Sequence, residues 1–173
     1  MRSSTYWKAV LLDRDNFLER VLEFLKHSGV RFCVIGGTGV NAYAYPVVTE
    51  DLDIVVAAEE IETLESNLSG DFKVRRFAHS INVSAPPSKL QVQIQTDPRY
   101  FGFVDRAETR TVMDFQLPVA NIEDILQGKI WAATDTGRRQ SKRQKDLADI
   151  ARIIEVAPEL RSRVPAELLS KML

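Results

Sequence analysis

Between residues 15 and 27 the apolar side chains Phe17, Leu18, Val21, Leu22, Phe24 and Leu25 recur at the spacing of one helical face. Asp15 or Asn16 stands where such a helix is capped, and Gly29 where it stops. The pattern then changes. Val30-Arg31-Phe32-Cys33-Val34-Ile35 is a short β-rich run that ends abruptly at Gly36-Gly37. Small and aromatic residues over 38–45 predict a short helix, with Thr38 as its cap and Pro46 as its breaker. Residues 49–56 predict a second strand. Residues 57–68 predict a helix with Ile61, Leu64 and Leu68 on one side.

Two further strands are expected over 72–77 and 80–84, and Pro86-Pro87 marks a loop. Leu90-Gln91-Val92-Gln93-Ile94-Gln95 alternates perfectly, giving one apolar and one glutamine face. Asp97-Pro98 ends that strand. A short helix is expected over 100–106 and a last strand over 110–117, closed by Pro118. Two helices follow. Ile122, Ile125, Leu126 and Ile130 line the first, over 121–134; Leu147, Ile150, Ala151, Ile153 and Ile154 line the second, over 143–156. Pro158 and Pro165 punctuate a helical tail. Strands first and helices last argue for an α/β sheet core over 1–118, with a helical segment over 119–173 packed on it as a single compact unit.

Composition narrows the function classes. Hydrophobic residues at 45% suffice for a closed core. A formal net charge of −1 argues against a chain that binds nucleic acid through its overall field; any basic footprint is local, and no readout of DNA sequence is expected. The one cysteine, Cys33, sits in an apolar run and reads as a buried, inert thiol. Met1 to Lys8 lack the apolar stretch of a signal peptide, and no run is long enough to span a bilayer, so a cytoplasmic protein is expected. His27 and His79 read as surface residues, Trp7 and Trp131 as packing residues, and no cysteine–histidine cluster suggests zinc.

The chemistry concentrates early in the chain. Asp51 and Asp53 stand two apart on a predicted strand, so both carboxylates face the same way. Their repulsion is relieved by a divalent cation; magnesium prefers such oxygens and leaves room for substrate phosphates. Solvated carboxylates at a strand mouth give the same two-residue pattern. Gly36-Gly37 offers a turn free of side chains, at which backbone N–H groups can meet an anion, although an ordinary strand-to-helix turn has that appearance too.

Taken together, Val34-Ile35-Gly36-Gly37 and Thr49-Glu50-Asp51-Leu52-Asp53-Ile54 resemble the signature of DNA polymerase β-like nucleotidyltransferases. Within that superfamily the chain is most similar to the small bacterial branch containing abortive-infection and toxin–antitoxin nucleotidyltransferases. Lys129, the basic run Arg138 to Lys145, and Asp146-x-x-Asp149 resemble the family's later motif, so the likeness extends from about Val30 to Ile154. The resemblance implies a nucleotidyltransferase-like mixed β-sheet flanked by helices with a C-terminal helical extension. It implies Asp51 and Asp53 as catalytic residues and as ligands of Mg2+ or Mn2+, and a nucleoside triphosphate as substrate. It implies phosphate contacts from Gly36, Gly37, Thr49, Lys129 and Arg143. The acceptor would be an RNA such as a tRNA end, a protein, or a small molecule bearing a hydroxyl, and a partner protein is a further implication. Lys142–Asp146 and Lys145–Asp149 also have the spacing of plain helix pairs.

Two departures stand out. The family's third carboxylate belongs on a later strand in an apolar-Asp-apolar setting, and here Gln93 occupies that position, with Asp97 and Asp105 as the nearest substitutes. A glutamine neither holds a cation as a carboxylate does nor accepts a proton. The branch also carries an arginine after the proline, where this chain has Pro46-Val47-Val48. Three readings follow: a nucleotidyltransferase, a nucleotide-binding relic without catalysis, and an interaction module whose basic run meets RNA or protein.

Overall fold

The protein is described here by a computed structural model covering residues 16–172; the expected cap at Asp15, Trp7, the N-terminal segment and Leu173 lie outside the described residues. Helix α1 (Phe17–Ser28) buries Phe17, Leu18, Val21, Leu22 and Leu25, the face that the spacing predicts. Gly29, at φ 69°, closes it in the left-handed conformation that glycine adopts without strain. Strand β1 (Phe32–Ile35) leads directly into helix α2 (Gly36–Asn41), and a loop returns the chain to β2 (Asp51–Val56). A 3-10 turn (Ala58–Glu60) introduces α3 (Ile61–Leu68), which buries Ile61, Leu64 and Leu68.

Strands β3 (Lys73–Arg76), β4 (Ser80–Ser84) and β5 (Gln91–Gln95) come next. A 3-10 helix (Pro98–Arg106) has the Asp97 side chain accepting the Arg99 N–H at its start. Strands β6 (Glu108–Val112) and β7 (Phe115–Val119) precede α4 (Ile122–Thr134) and α5 (Gln140–Val156). A 3-10 segment (Pro158–Arg163) and α6 (Ala166–Ser170) complete the described chain.

The seven strands form one mixed sheet in the order β3-β4-β5-β2-β1-β7-β6. β2 is central, antiparallel to β1 and parallel to β5. Alternation along β2 and β5 sends Leu52, Ile54, Val92 and Ile94 into the core and leaves Asp51, Asp53, Gln93 and Gln95 on the other face.

Three expectations are corrected. Helix α2 starts at Gly36, so Thr38 lies inside it, fully buried, rather than at its cap. The single strand expected over 110–117 is a hairpin. Met113 and Asp114 have φ of 50° and 68°, the positive values that a two-residue turn of this hand needs, and Val112 faces Phe115 across it. Asn-Gly or Asp-Gly would have announced that turn; Met-Asp does not. Pro118 lies within β7 rather than closing it. Counting from the turn, Thr109 and Pro118 form a non-hydrogen-bonded pair, so the missing N–H costs β6 nothing.

Candidate active site

The carboxylates of Asp51 and Asp53 open into a pocket between the sheet and the two long C-terminal helices. Gly36, Gln93, Lys129, Arg138, Lys142 and Asp146 also line it. Residues from β1–α2, β2, β5, α4 and α5 therefore meet at one place, although they are far apart in sequence.

The local backbone explains how the first carboxylate is aimed. Both Thr38 Oγ1 and Thr49 Oγ1 donate to the carbonyl of Asp51, each at 3.0 Å, and Thr49 Oγ1 accepts the Asp51 N–H at 3.3 Å. The preceding loop is tied down at two points. The Asn41 amide brackets Val47, donating to its carbonyl at 2.7 Å and accepting its N–H at 3.0 Å. Arg152 Nη2, from α5, donates to Asn41 Oδ1 and to the Tyr45 carbonyl, both at 2.6 Å.

Gly36 is the one position here where glycine is required twice over. Its φ is +65°, and a Cβ built on it would lie 2.2 Å from Asp53 Oδ2. Gly36→Ala is therefore expected to destabilise the fold by about 1–3 kcal/mol and to push the Asp53 carboxylate aside. Urea unfolding reads the first effect and loss of ligand binding the second; a variant unchanged in both would refute this account of the turn.

Charge is arranged in two groups. Burial pushes the Asp53 carboxyl up to about 6, with the neighbouring Asp51 adding to the effect and Lys129, Arg138 and Lys142 opposing it. Asp51 is raised as well, by burial and Glu50 against the pull of Lys142. Behind them, Lys129 Nζ lies 3.0 Å from Asp146 Oδ1 and 2.8 Å from Asp149 Oδ2. Burial disfavours the Lys129 charge, but Asp149 and Asp146 outweigh it and hold the amine protonated. Arg138 Nε reaches Asp146 Oδ2 at 2.6 Å, and Arg152 Nη1 reaches Asp149 Oδ1 at 2.8 Å. The simple helix pairs Lys142–Asp146 and Lys145–Asp149 do not form: Asp146 is taken by Lys129 and Arg138, and Asp149 by Lys129 and by Arg152 of the same helix.

Each residue singled out in the sequence now has a place. Asp51, Asp53, Gly36, Gln93 and Lys129 line the pocket; Gly37, Thr49 and Arg143 do not. Gly37 packs toward Asp149 and Thr49. Thr49 orients Asp51 through the backbone. Lys142, one residue before Arg143, is the lysine that enters the pocket from α5. Periodicity places Lys142 on the same face of α5 as Asp146 and Asp149, but does not by itself say that this face meets the pocket.

Gln93 is directly beside Asp53 in the parallel register of β2 and β5, so the glutamine occupies the position on the sheet where a third acid was sought. Neither substitute reaches the pocket: Asp97 is held by Arg99 at the start of the 3-10 helix, and Asp105 pairs with Arg31 at the surface. Among the described residues, no group of three or more His, Cys, Asp or Glu side chains is arranged to hold a metal ion. No helix among them is long and apolar enough to cross a membrane. Cys33 is buried, and burial pushes its thiol up to about 12, which fits an inert core residue. His27 and His79 are exposed. Trp131 packs in an aromatic cluster, stacked on Phe103 and with Arg99 over its ring.

Known proteins share this architecture. The solution structure of the antibiotic-resistance factor ANT(2'')-Ia superposes with a TM-score of 0.59 at 10% identity, covering 88% of this chain and 94% of that one. The lincomycin-bound lincosamide antibiotic adenylyltransferase LnuA superposes with a TM-score of 0.55 at 15% identity, covering 79% and 95%. An antigenic nucleotidyltransferase-like protein from Paracoccidioides brasiliensis gives 0.51 at 17% identity, covering 86% and 75%. At these identities the likeness establishes the nucleotidyltransferase-like α/β fold. No curated protein matches the chain in sequence. The family described as nucleotidyl transferase AbiEii toxin, type IV toxin–antitoxin system, matches residues 16–173. The chain belongs to this AbiEii nucleotidyltransferase toxin family.

Proposed function

We propose that this protein binds a nucleoside triphosphate with Mg2+ or Mn2+ at Asp51 and Asp53 and transfers a nucleotide to an acceptor hydroxyl. The observation that carries the reading is the pair of carboxylates on one face of β2, open to a pocket whose opposite wall presents Lys142 and Arg138. The donor set fits a divalent cation. Two carboxylates forced together in a partly buried site are each raised above the ordinary aspartate range, and a cation between them relieves that cost. When bound, such an ion supplies electrostatic stabilisation of the charge that develops on the phosphates.

The chain's own residues do the rest. Asp51 and Asp53 hold the metal–triphosphate. Lys142 faces the phosphates as a point charge, with Gly36 allowing close approach of the backbone. The acceptor hydroxyl oxygen bonds to the α-phosphorus as the bond to the pyrophosphate oxygen breaks; the hydroxyl proton passes to solvent water and pyrophosphate leaves. The acceptor is an RNA end, a protein side chain or a small molecule.

Calorimetric titration of the four ribonucleoside triphosphates, with and without magnesium, tests the reading. Magnesium-dependent binding of at least one triphosphate is expected in the wild type and its loss in Asp51→Ala/Asp53→Ala. Binding indifferent to both substitutions would sink the assignment.

Gln93 favours a second reading in which the triphosphate binds and does not turn over, since no carboxylate stands beside Asp53 on β5. Pyrophosphate release in the presence of candidate acceptors separates the two.

A further inference from the structure

We infer that the site takes one divalent cation rather than the pair used by two-metal nucleotidyl-transfer centres, with Lys142 as a fixed charge in place of the second ion. The inference rests on the metal–nucleotide reading above and concerns how many ions this set of side chains can hold. A two-metal site needs carboxylate oxygens for both ions. Asp51 and Asp53 can supply one ion between them. The position beside Asp53 on β5, where a further ligand would stand, is Gln93, whose amide oxygen brings no negative charge.

The other acids of the pocket are already committed. Both carboxylate oxygens of Asp124 accept from Arg106, at 2.9 and 3.0 Å. Asp146, only 1% exposed, is held by Lys129 and Arg138. Recruiting Asp124 would break its two-point pairing with Arg106, and recruiting Asp146 would strip the buried Lys129 of one of its two carboxylates. Lys142 is differently placed. It lines the pocket, it makes no ion pair among the described residues, and it is the cation that most strongly offsets the charge of Asp51. A lysine there acts on the triphosphate without ligands of its own, which is what a site short of one carboxylate can accommodate.

The test counts ions. The protein is saturated with the α,β-methylene analogue of whichever triphosphate binds best, equilibrated with Mn2+ by dialysis, and the bound manganese and nucleotide are measured together. One manganese per bound nucleotide is expected, with no Mn–Mn coupling in the electron paramagnetic resonance spectrum. Gln93→Asp is expected to raise the ratio to two and to bring in that coupling. Lys142→Ala is expected to bind the analogue about tenfold more weakly at an unchanged ratio of one. Two manganese ions per nucleotide in the wild type would overturn the inference while leaving the metal–nucleotide reading intact. A ratio that stays at one in folded Gln93→Asp would also overturn it, because the position would then not be what limits the count. No bound nucleotide and no bound manganese would instead overturn the reading on which it rests.

Discussion

Asp53→Asn is expected to make the protein more stable at neutral pH while abolishing magnesium-dependent triphosphate binding. Burial and Asp51 push the Asp53 carboxyl from the ordinary 3.8 to about 6. The folded state therefore disfavours the ionised form. Below pH 4 the carboxyl is protonated whether the chain is folded or not, and it costs nothing. Between pH 4 and 6 the unfolded chain ionises first, and the cost of folding grows. Above pH 6 the cost is complete, about 3 kcal/mol for a displacement of about two pH units. A neutral side chain of the same shape removes it. Urea unfolding at pH 4 and pH 8 should thus show the variant gaining stability only at the higher pH. Added metal and triphosphate should stabilise the wild type by mass action and leave the variant unmoved. A wild type that is the more stable of the two at pH 8 without ligand would show that Asp53 already has a compensating partner.

Lys129→Met is expected to cost about 3–5 kcal/mol, the range for removing one member of a buried ion-pair network. Lys129 joins Asp146 to Asp149, which lie on successive turns of α5, and so fastens α4 to α5 next to the pocket. After the substitution Asp146 retains Arg138 and Asp149 retains Arg152, which places the loss toward the lower end of that range. Met keeps the aliphatic volume, so a cavity is not the cause. The urea midpoint measures the effect directly. A loss below about 1 kcal/mol would mean that the two arginines alone satisfy both acids. The same residue lines the pocket, but its ammonium is already engaged by two carboxylates within 3.0 Å.

How far the sequence revealed this molecule can be traced through individual residues. The face of α1, the alternation of β5 and the same-side placement of Asp51 and Asp53 follow from periodicities of 3.6 and 2, and the structure has each of them. Gln93, which the resemblance sets at the third-acid position, lies beside Asp53 in the register of β2 and β5. The hairpin at Met113-Asp114 was not legible, because Met113, the first residue of its turn, is of a type that seldom takes positive φ. Lys142 was hidden for another reason. In a run of basic residues, which one enters a pocket depends on how α5 packs against α4 and the sheet, and periodicity fixes a face only once that packing is known. The engagement of Asp146 by Arg138 and Lys129, and of Asp149 by Lys129, is likewise tertiary, so the i,i+4 spacing of Lys142–Asp146 and Lys145–Asp149 could not disclose it.

The two threonine hydroxyls on the carbonyl of Asp51 have a thermodynamic consequence. Thr38 belongs to α2 and Thr49 to the loop before β2, so the start of β2 is held from two sides without any ligand contact. The backbone that presents the first carboxylate is ordered in the free protein. Arriving ligands then spend their interaction energy on freezing their own torsions and shedding their own water, and little on arranging the protein. A site of this kind gains affinity from rigidity that was paid for during folding, and its association rate is governed by encounter and desolvation, with no closing motion of β2 to wait for.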